Sequence, residues 1–372
     1  MTDKKVVVAM SGGVDSSVAA ALLKSEYDII GVTLKLFSNA DIELDNTKSC
    51  CSLDDVEDAR SVARRLDIEH FVYNFGDKFK ECVIDRFNAA YIRGDTPNPC
   101  IDCNRFIKFD ALLQRAILLG CNYVATGHYV RRVFDEESGR YLLKKGADSS
   151  KDQSYVLYGL TQEQLSHTLF PLGEYTKQEI RELAEKFEFI NADKPDSQDI
   201  CFVPDGDYAS FIEKYTGKQF EHGKFIHTSG EVLGEHQGII RYTVGQRKGL
   251  GISYKEPLFV IEKDVKENTV TLGKNEDLFF PAFAVEDVNW ISGIIPTEPF
   301  DVKVKTRYRQ QEQPATIYPL SNNKLYVELN SPQRAVTTGQ AAVLYDEDTV
   351  LGGGTICKVF RECLTDKGES IW

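Results

Sequence analysis

Apolar and polar positions along the first two hundred residues alternate between the strand and the helix pattern. VVVAM (6–10) is a continuous apolar run of strand length, and DSSVAAALLKS (15–25) is rich in alanine and leucine, as a helix would be. DIIGVTLKLF (28–37) predicts a second strand. In LDDVEDARSVARRL (53–66), Val56, Ala59, Val62, Ala63 and Leu66 recur at helical spacing, and IEHFVYNF (68–75) alternates as a strand does. Helices are expected over 77–92 and 106–120, and a strand at CNYVATG (121–127). A hairpin turning at Glu137-Ser138-Gly139 is expected over 130–146. EYTKQEIRELAEKF (174–187) reads as a helix capped by Thr176, with Glu179 completing a capping box. Such alternation implies the α/β class, a doubly wound parallel sheet with helices on both faces.

The pattern changes near residue 205. Glycines become frequent and short β-like segments such as PLFVIEKD and NTVTLG appear. From about 280 onward nearly every segment is strand-like, including VKVKTRYR, ATIYPL, KLYVELN and AAVLYDEDTVLGGGTI. The expected organisation is an α/β domain over 1–205, a small central β-rich domain over 206–279, and a C-terminal β-barrel over 280–372.

Composition narrows the classes. At 372 residues with 42% apolar content, the chain can build two or three cored domains. No apolar run approaches the roughly 18 residues of a membrane span, and the start lacks a small-residue cleavage site, so the expected compartment is the cytoplasm, with no membrane. The 44 Lys and Arg against 57 Asp and Glu leave a net charge of −13, which argues against a surface wholly given to nucleic acid but not against basic patches. VKVKTRYR carries Lys303, Lys305, Arg307 and Arg309, and RYTVGQRKG adds Arg241, Arg247 and Lys248, patches suited to phosphate contacts. Nine cysteines in such a chain are not a disulfide scaffold. Cys82, Cys121, Cys357 and Cys363 read as small buried apolar residues. Cys50–Cys51 and the pair in PNPCIDCN are clustered and stand apart.

The turn SGGVDSS follows the first strand and opens a helix. Backbone N–H groups and a helix N-terminus at one spot make an anion site, with phosphate the natural guest. Ser11, Ser16 and Ser17 add hydroxyl donors, and Gly12 and Gly13 permit close approach. The lysine of a Walker loop and the spacing of a dinucleotide fingerprint are both missing. Asp15 beside phosphate calls for a bridging divalent cation, such as Mg²⁺. Further on, Pro97 and Pro99 predict an extended loop bearing Cys100, with a helix starting near Asn104. Cys103 would then precede a helix N-terminus, near Arg105 and Lys108, where a thiolate is favoured. Cys201, among Asp196, Asp199, Asp205 and Asp207, has no such local mark.

SGGVDSS resembles the signature of the PP-loop ATP pyrophosphatases, the adenine-nucleotide alpha-hydrolase-like fold. That superfamily includes amidating ligases, but no glutamine-hydrolysing segment is evident here. PNPCIDCNRFIKF, ATGHY, KDQSYVLYGL, DSQDICF, YTVGQRKGLGI, RYRQ and SPQRAVTTGQAAVLYD follow in the order seen in the bacterial tRNA-specific 2-thiouridylases, a resemblance running from about 5 to 356. It implies ATP-dependent 2-thiolation of the wobble uridine of tRNA, with ATP and Mg²⁺ as cofactors. The C2 oxygen is adenylated and persulfide sulfur then replaces it. It implies tRNA as partner, of lysine, glutamate and glutamine acceptance, and a persulfide donor such as a cysteine desulfurase or sulfur-relay protein.

Carried over by position, the resemblance gives Cys103 as nucleophile and Cys201 as persulfide carrier, ending as a transient disulfide. ATP is assigned to Ala9, Met10, Ser11, Gly12, Gly13, Val14, Asp15 and Ser16, with Leu34 and Gly127. The target base or tRNA is assigned to Asn98, Pro99, Cys100, His128, Lys151, Asp152, Gln153, Arg307, Tyr308 and Gln340. Many members carry aspartate where this chain has Cys100. Three thiols, Cys100, Cys103 and Cys201, leave open a 4Fe–4S cluster or a zinc site beside the persulfide–disulfide route.

Overall fold

A computed structural model describes residues 4–37, 53–196, 200–203 and 205–365. Its first domain is a five-stranded parallel sheet. The strands include β1 (Lys5–Ala9), β2 (Asp28–Lys35), β3 (His70–Asn74) and β4 (Tyr123–Ala125), and their order is β3-β2-β1-β4 followed by the short strand Thr168–Leu169. The apolar run of β1 is continuous because both faces of the sheet are covered. Val6 and Val8 pack with helices α1 (Val14–Lys24), α2 (Leu53–Arg65) and Lys177–Lys186, while Val7 packs with Leu112, Leu113 and Ala116 on the opposite face. Neighbours of β1 lie on either side of it, so the β1–α1 turn sits where strand order reverses, the place where open α/β sheets bind ligands.

The expected capping box is present. The Thr176 hydroxyl accepts from the Glu179 N–H, and the Glu179 carboxylate accepts from the Thr176 N–H at 2.7 Å. The hairpin Val130–Asp135 and Arg140–Lys145 forms as its alternation predicts. Its destination was not predicted. It joins the C-terminal sheet through Thr349 opposite Lys144, and Asp348 there receives Arg131 at 2.9 Å and Lys144 at 3.0 Å.

The middle domain holds a four-stranded sheet, with the strands in the order Phe259–Asp264, Thr269–Gly273, Gly223–His227 and Val232–His236. A helix over Tyr208–Thr216 precedes it, where β-like structure was expected. Asp207 caps its first turn by accepting from the Ser210 N–H, and Gly217 ends it with φ at 65°. The C-terminal domain is a closed barrel of six strands, Phe279–Trp290 pairing with Thr349–Phe360 to seal it.

One apolar cluster ties the first two domains together. Phe79, Phe87, Tyr91, Cys103 and Ile107 share it with Phe225, Ile240 and Val260 of the middle domain. Phe202 is buried at its centre, with rings 5.9 Å from Phe79, 5.2 Å from Phe87 and 5.4 Å from Phe211. Truncation of Phe202 to alanine removes the anchor next to Cys201. We expect Phe202→Ala to cost about 3–5 kcal/mol of stability, read as a lowered urea midpoint.

Candidate functional site

The turn after β1 is shaped by its glycines. Gly12 has φ of +75°, and a Cβ there would meet the Asp55 carbonyl oxygen at 2.3 Å. Gly13 caps α1 in an extended conformation. The Ser11 N–H donates to Ser16 Oγ at 3.1 Å, while Ser16 Oγ and Ser17 Oγ donate to the Gly13 carbonyl. Gly127, after β4, closes in from the side, since a Cβ there would meet Asp15 backbone carbon at 2.8 Å. Ala9, Met10 and Val14 supply the flanking backbone and apolar wall, with Met10 and Val14 buried. Leu34 packs against the cluster that contains Cys103. The cradle thus fits a nucleotide phosphate.

A set of charged residues surrounds this turn, among them Lys177 and Lys194, which the sequence did not single out. Asp15 Oδ1 accepts from Tyr129 Oη at 2.7 Å and from Lys177 Nζ at 2.7 Å. Lys177, only 8% exposed, also pairs with Asp196 at 2.7 Å, and Asp196 receives Lys151 at 2.8 Å. Burial opposes the charge on Asp196, yet the hydrogen bonds from Lys151 and Lys177 win and hold its carboxyl below the usual range. Asn191 Nδ2 donates to the Gly12 carbonyl and to Ser17 Oγ, and Lys194 Nζ reaches the Gly12 carbonyl, Asp55 and Asp58. Residues 191–196, just ahead of Cys201, are therefore fastened to the phosphate turn. Lys177 could have been suspected from its place as the first residue of a capped helix; Asn191 and Lys194 carried no signal.

The cysteine pair departs from expectation. The helix begins at Pro99, not near Asn104. Asn98 is the N-cap, and its Oδ1 accepts from the Cys100 N–H at 3.1 Å. Proline is well placed at the first helical position, where its missing N–H has no partner to lose. The chain stays helical through Pro99–Asp102, the wide-turn segment Cys103–Ala111 and Leu112–Leu118. Cys100 is consequently the first-turn thiol, exposed, and Cys103 lies one turn in, buried. Asn104 is inside the helix and donates to the Val156 carbonyl at 3.1 Å. Cys201, half-buried, packs against the same large apolar cluster that contains Cys103. Cys121 is buried as expected, whereas Cys82, Cys357 and Cys363 are half-buried. Cys50 and Cys51 lie outside the described residues.

No three His, Cys, Asp or Glu side chains among the described residues group as a metal ion would require. Cys100, Cys103 and Cys201 as arranged do not fit a 4Fe–4S or zinc ligand set. For Mg²⁺ the fit is different, because Asp15 retains its second carboxylate oxygen beside the phosphate cradle, and one carboxylate plus phosphate oxygens is an ordinary Mg²⁺ environment.

The remaining residues expected to contact tRNA lie in the first domain and the barrel, some exposed and some buried. The barrel holds the TPNP loop, since Gln340 Nε2 donates to the Thr96 carbonyl at 2.6 Å and the Thr96 N–H donates to the Thr338 carbonyl. Tyr308, 36% exposed, lies beside Asp152 and Cys100, and Lys305 sits over its ring at 5.8 Å. Arg307 donates to the Val244 carbonyl and to Thr337 Oγ1, which joins the middle domain to the barrel. Asp152 accepts from the Gly146 and Ser154 N–H groups, and Gln153 Oε1 accepts from the Tyr129 N–H at 3.0 Å, so that oxygen is occupied by the backbone. His128 is buried between Phe109 and Phe170, its Nδ1 paired with Thr126 Oγ1 at 2.7 Å.

Comparison with known proteins follows the same division of the chain. The sequence profile of the tRNA methyl transferase HUP domain matches residues 4–205, that of the tRNA methyl transferase PRC-barrel domain residues 209–274, and that of the aminomethyltransferase beta-barrel domain residues 281–356. The tRNA-specific 2-thiouridylase MnmA of Clostridioides difficile is 51% identical over 96% of this chain and 99% of its own. That of Acetivibrio thermocellus is 50% identical over 96% of this chain and 100% of its own. No helix among the described residues is long and apolar enough to cross a membrane.

Burial, with a smaller contribution from Lys108, pushes the His128 imidazole well below its ordinary value of 6.5. The unfolded chain binds a proton there that the folded chain refuses. Stability contributed by neutral His128 is present above pH 6.5 and declines as the pH falls below it. His128→Leu should reduce the slope of unfolding free energy against pH below 6.5 by up to about one proton, measured by urea titrations at stepped pH.

Proposed function

The chain belongs to the tRNA-specific 2-thiouridylase family of tRNA sulfurtransferases, and from that premise we propose that it replaces the C2 oxygen of the wobble uridine in tRNA with sulfur in two chemical steps. The uracil oxygen is a poor leaving group. Attack of that oxygen on the α-phosphorus of ATP expels pyrophosphate and leaves the base adenylated. Ala9 to Ser16 with Leu34 and Gly127 hold the nucleotide. The Gly12–Ser16 turn provides N–H and hydroxyl donors for its phosphates, and Lys177 and Lys194 provide nearby positive charge. Mg²⁺ held by Asp15 and phosphate oxygens would neutralise charge on the departing pyrophosphate.

Sulfur arrives as a persulfide on Cys201 from a donor of the cysteine desulfurase or sulfur-relay class. The Cys103 thiolate attacks the sulfur–sulfur bond, the terminal sulfur passes to C2, and AMP leaves. Cys103 and Cys201 remain as a disulfide, which a reductant must open. The tRNA is received on the face bearing Asn98, Pro99, Cys100, Tyr308 and Lys305, with Lys151 and Arg307 behind it. The target base is turned out of the anticodon loop toward Cys100, with lysine, glutamate and glutamine tRNAs the expected substrates. The observation that supports this reading most is the shared apolar cluster of Cys103, Cys201 and Leu34, since Leu34 lies near the end of β2, the strand beside β1.

The test uses tRNA, ATP, Mg²⁺ and a persulfide donor. Cys103→Ser and Cys201→Ser should each abolish 2-thiouridine detected by mass spectrometry while tRNA-dependent pyrophosphate release persists. Full thiolation by both variants would contradict the reading.

A further inference from the structure

The helix that starts at Pro99 places two sulfurs in a relation the two-cysteine scheme does not use. Cys100 is the second helical residue, and the Cys103 N–H is shared between the Cys100 and Pro99 carbonyls, so one tight turn separates them. Side chains three apart on a helix lie on the same flank, with Cβ atoms about 5–6 Å apart, within small adjustment of disulfide geometry. The two differ in access, Cys100 being exposed and Cys103 buried. Pro99 and the Asn98 cap fix the turn, and the helix runs on to Leu118. An exposed cysteine at the start of a helix, followed after two residues by a buried one, is the arrangement of redox-active Cys-x-x-Cys pairs.

A disulfide between Cys103 and Cys201 is awkward to reopen from outside. Cys103 is buried in the apolar cluster that also holds Phe79, Phe87 and Ile107, and Cys201, half-buried, packs against that cluster next to the buried Phe202. A protein reductant must present its own thiolate in line with one of these sulfurs, and burial closes Cys103 to it. Cys100 is already in place, one turn away and facing solvent.

We propose that Cys100 is the resolving thiol of this enzyme, which moves the spent disulfide from the buried pair to the surface of the helix. The inference rests on the persulfide–disulfide reading above. The Cys100 thiolate attacks Cys103 Sγ, the Cys103–Cys201 bond breaks, and Cys201 leaves as a thiolate that takes up a proton. One disulfide is exchanged for another with no electrons added. An external dithiol then attacks the exposed Cys100 sulfur of the Cys100–Cys103 disulfide, supplying two electrons and two protons, and all three thiols are restored. Cys201 becomes free to accept the next persulfide before that external reduction is complete.

The experiment is a single turnover without reductant, followed by alkylation at low pH and non-reducing digestion with trypsin. Arg93 and Arg105 bound a tryptic segment, 94–105, that contains both Cys100 and Cys103. In the wild-type enzyme this segment should carry an internal disulfide, with Cys201 alkylated. In Cys100→Ser the product should be a cross-link between 94–105 and the Cys201 peptide, and steady-state turnover with a protein dithiol reductant should fall by about tenfold or more. Excess small-molecule dithiol should restore much of that loss. A Cys103–Cys201 cross-link with alkylated Cys100 in the wild-type enzyme would overturn the role of Cys100 alone. Thiouridine formed with no disulfide anywhere would overturn the disulfide reading itself, and this role with it.

Discussion

Everything in this fold is organised around the unpaired backbone N–H groups at the turn between β1 and α1. A helix N-terminus without partners needs an anion or a cap, and here Gly13 stands in the cap position with no side chain to serve. The donors are left open for a guest. Gly12 and Gly127 then allow α2 and the β4 loop to close on the turn to distances no other residue would allow. Asn191 and Lys194 brace its outer side by donating hydrogen bonds to the Gly12 carbonyl. The turn is thus rigid on its protein side and open on its ligand side, which is the preorganisation that phosphate chemistry needs.

The second half of the machinery is linked to the first by packing. Residues 191–196 run from the phosphate turn toward Cys201, and Phe202 sinks into the aromatic cluster that buries Cys103. The middle domain completes that cluster through Phe225 and Val260, so it contributes to the position of the cysteines as well as to the outer surface. The barrel does similar work from the other side. Gln340 and the Thr338 carbonyl hold Thr96, and thereby fix where the Pro99 helix starts. Arg307, whose burial lowers its pKa, spends its guanidinium on Val244 and Thr337 and ties barrel to middle domain. A net charge of −13 is compatible with an RNA substrate because basic residues such as Lys305, over the Tyr308 ring that lies beside Cys100, are local.

Much of this was legible in the sequence, for physical reasons. The β1 run, the glycine turn and the Thr176 capping box are local patterns whose chemistry is complete within a few residues. The barrel was legible as a rhythm of short strands. The start of the cysteine helix was misread because proline was treated only as a helix breaker, whereas at the first helical position it is favoured, and Asn98 was the cap rather than Asn104. The helix Tyr208–Thr216 was hidden by its glycine-rich surroundings, although Asp207 and Gly217 mark both its ends. The junction of the 130–145 hairpin with the barrel, and the Asp15–Lys177–Asp196 chain, join residues far apart in sequence, and no local pattern reports them. The burial of His128 and the backbone partner of the Gln153 amide oxygen are facts of packing that only three dimensions supply.

The central claim is that one nucleotide, held at the glycine turn, licenses the movement of one sulfur from Cys201 to a pyrimidine. Isotopically labelled persulfide loaded onto the enzyme and chased with tRNA measures this directly. The account predicts label on Cys201 that stays there with tRNA alone and passes to uridine only when ATP is added. Label reaching uridine without ATP, or through a chain lacking Cys201, would contradict it.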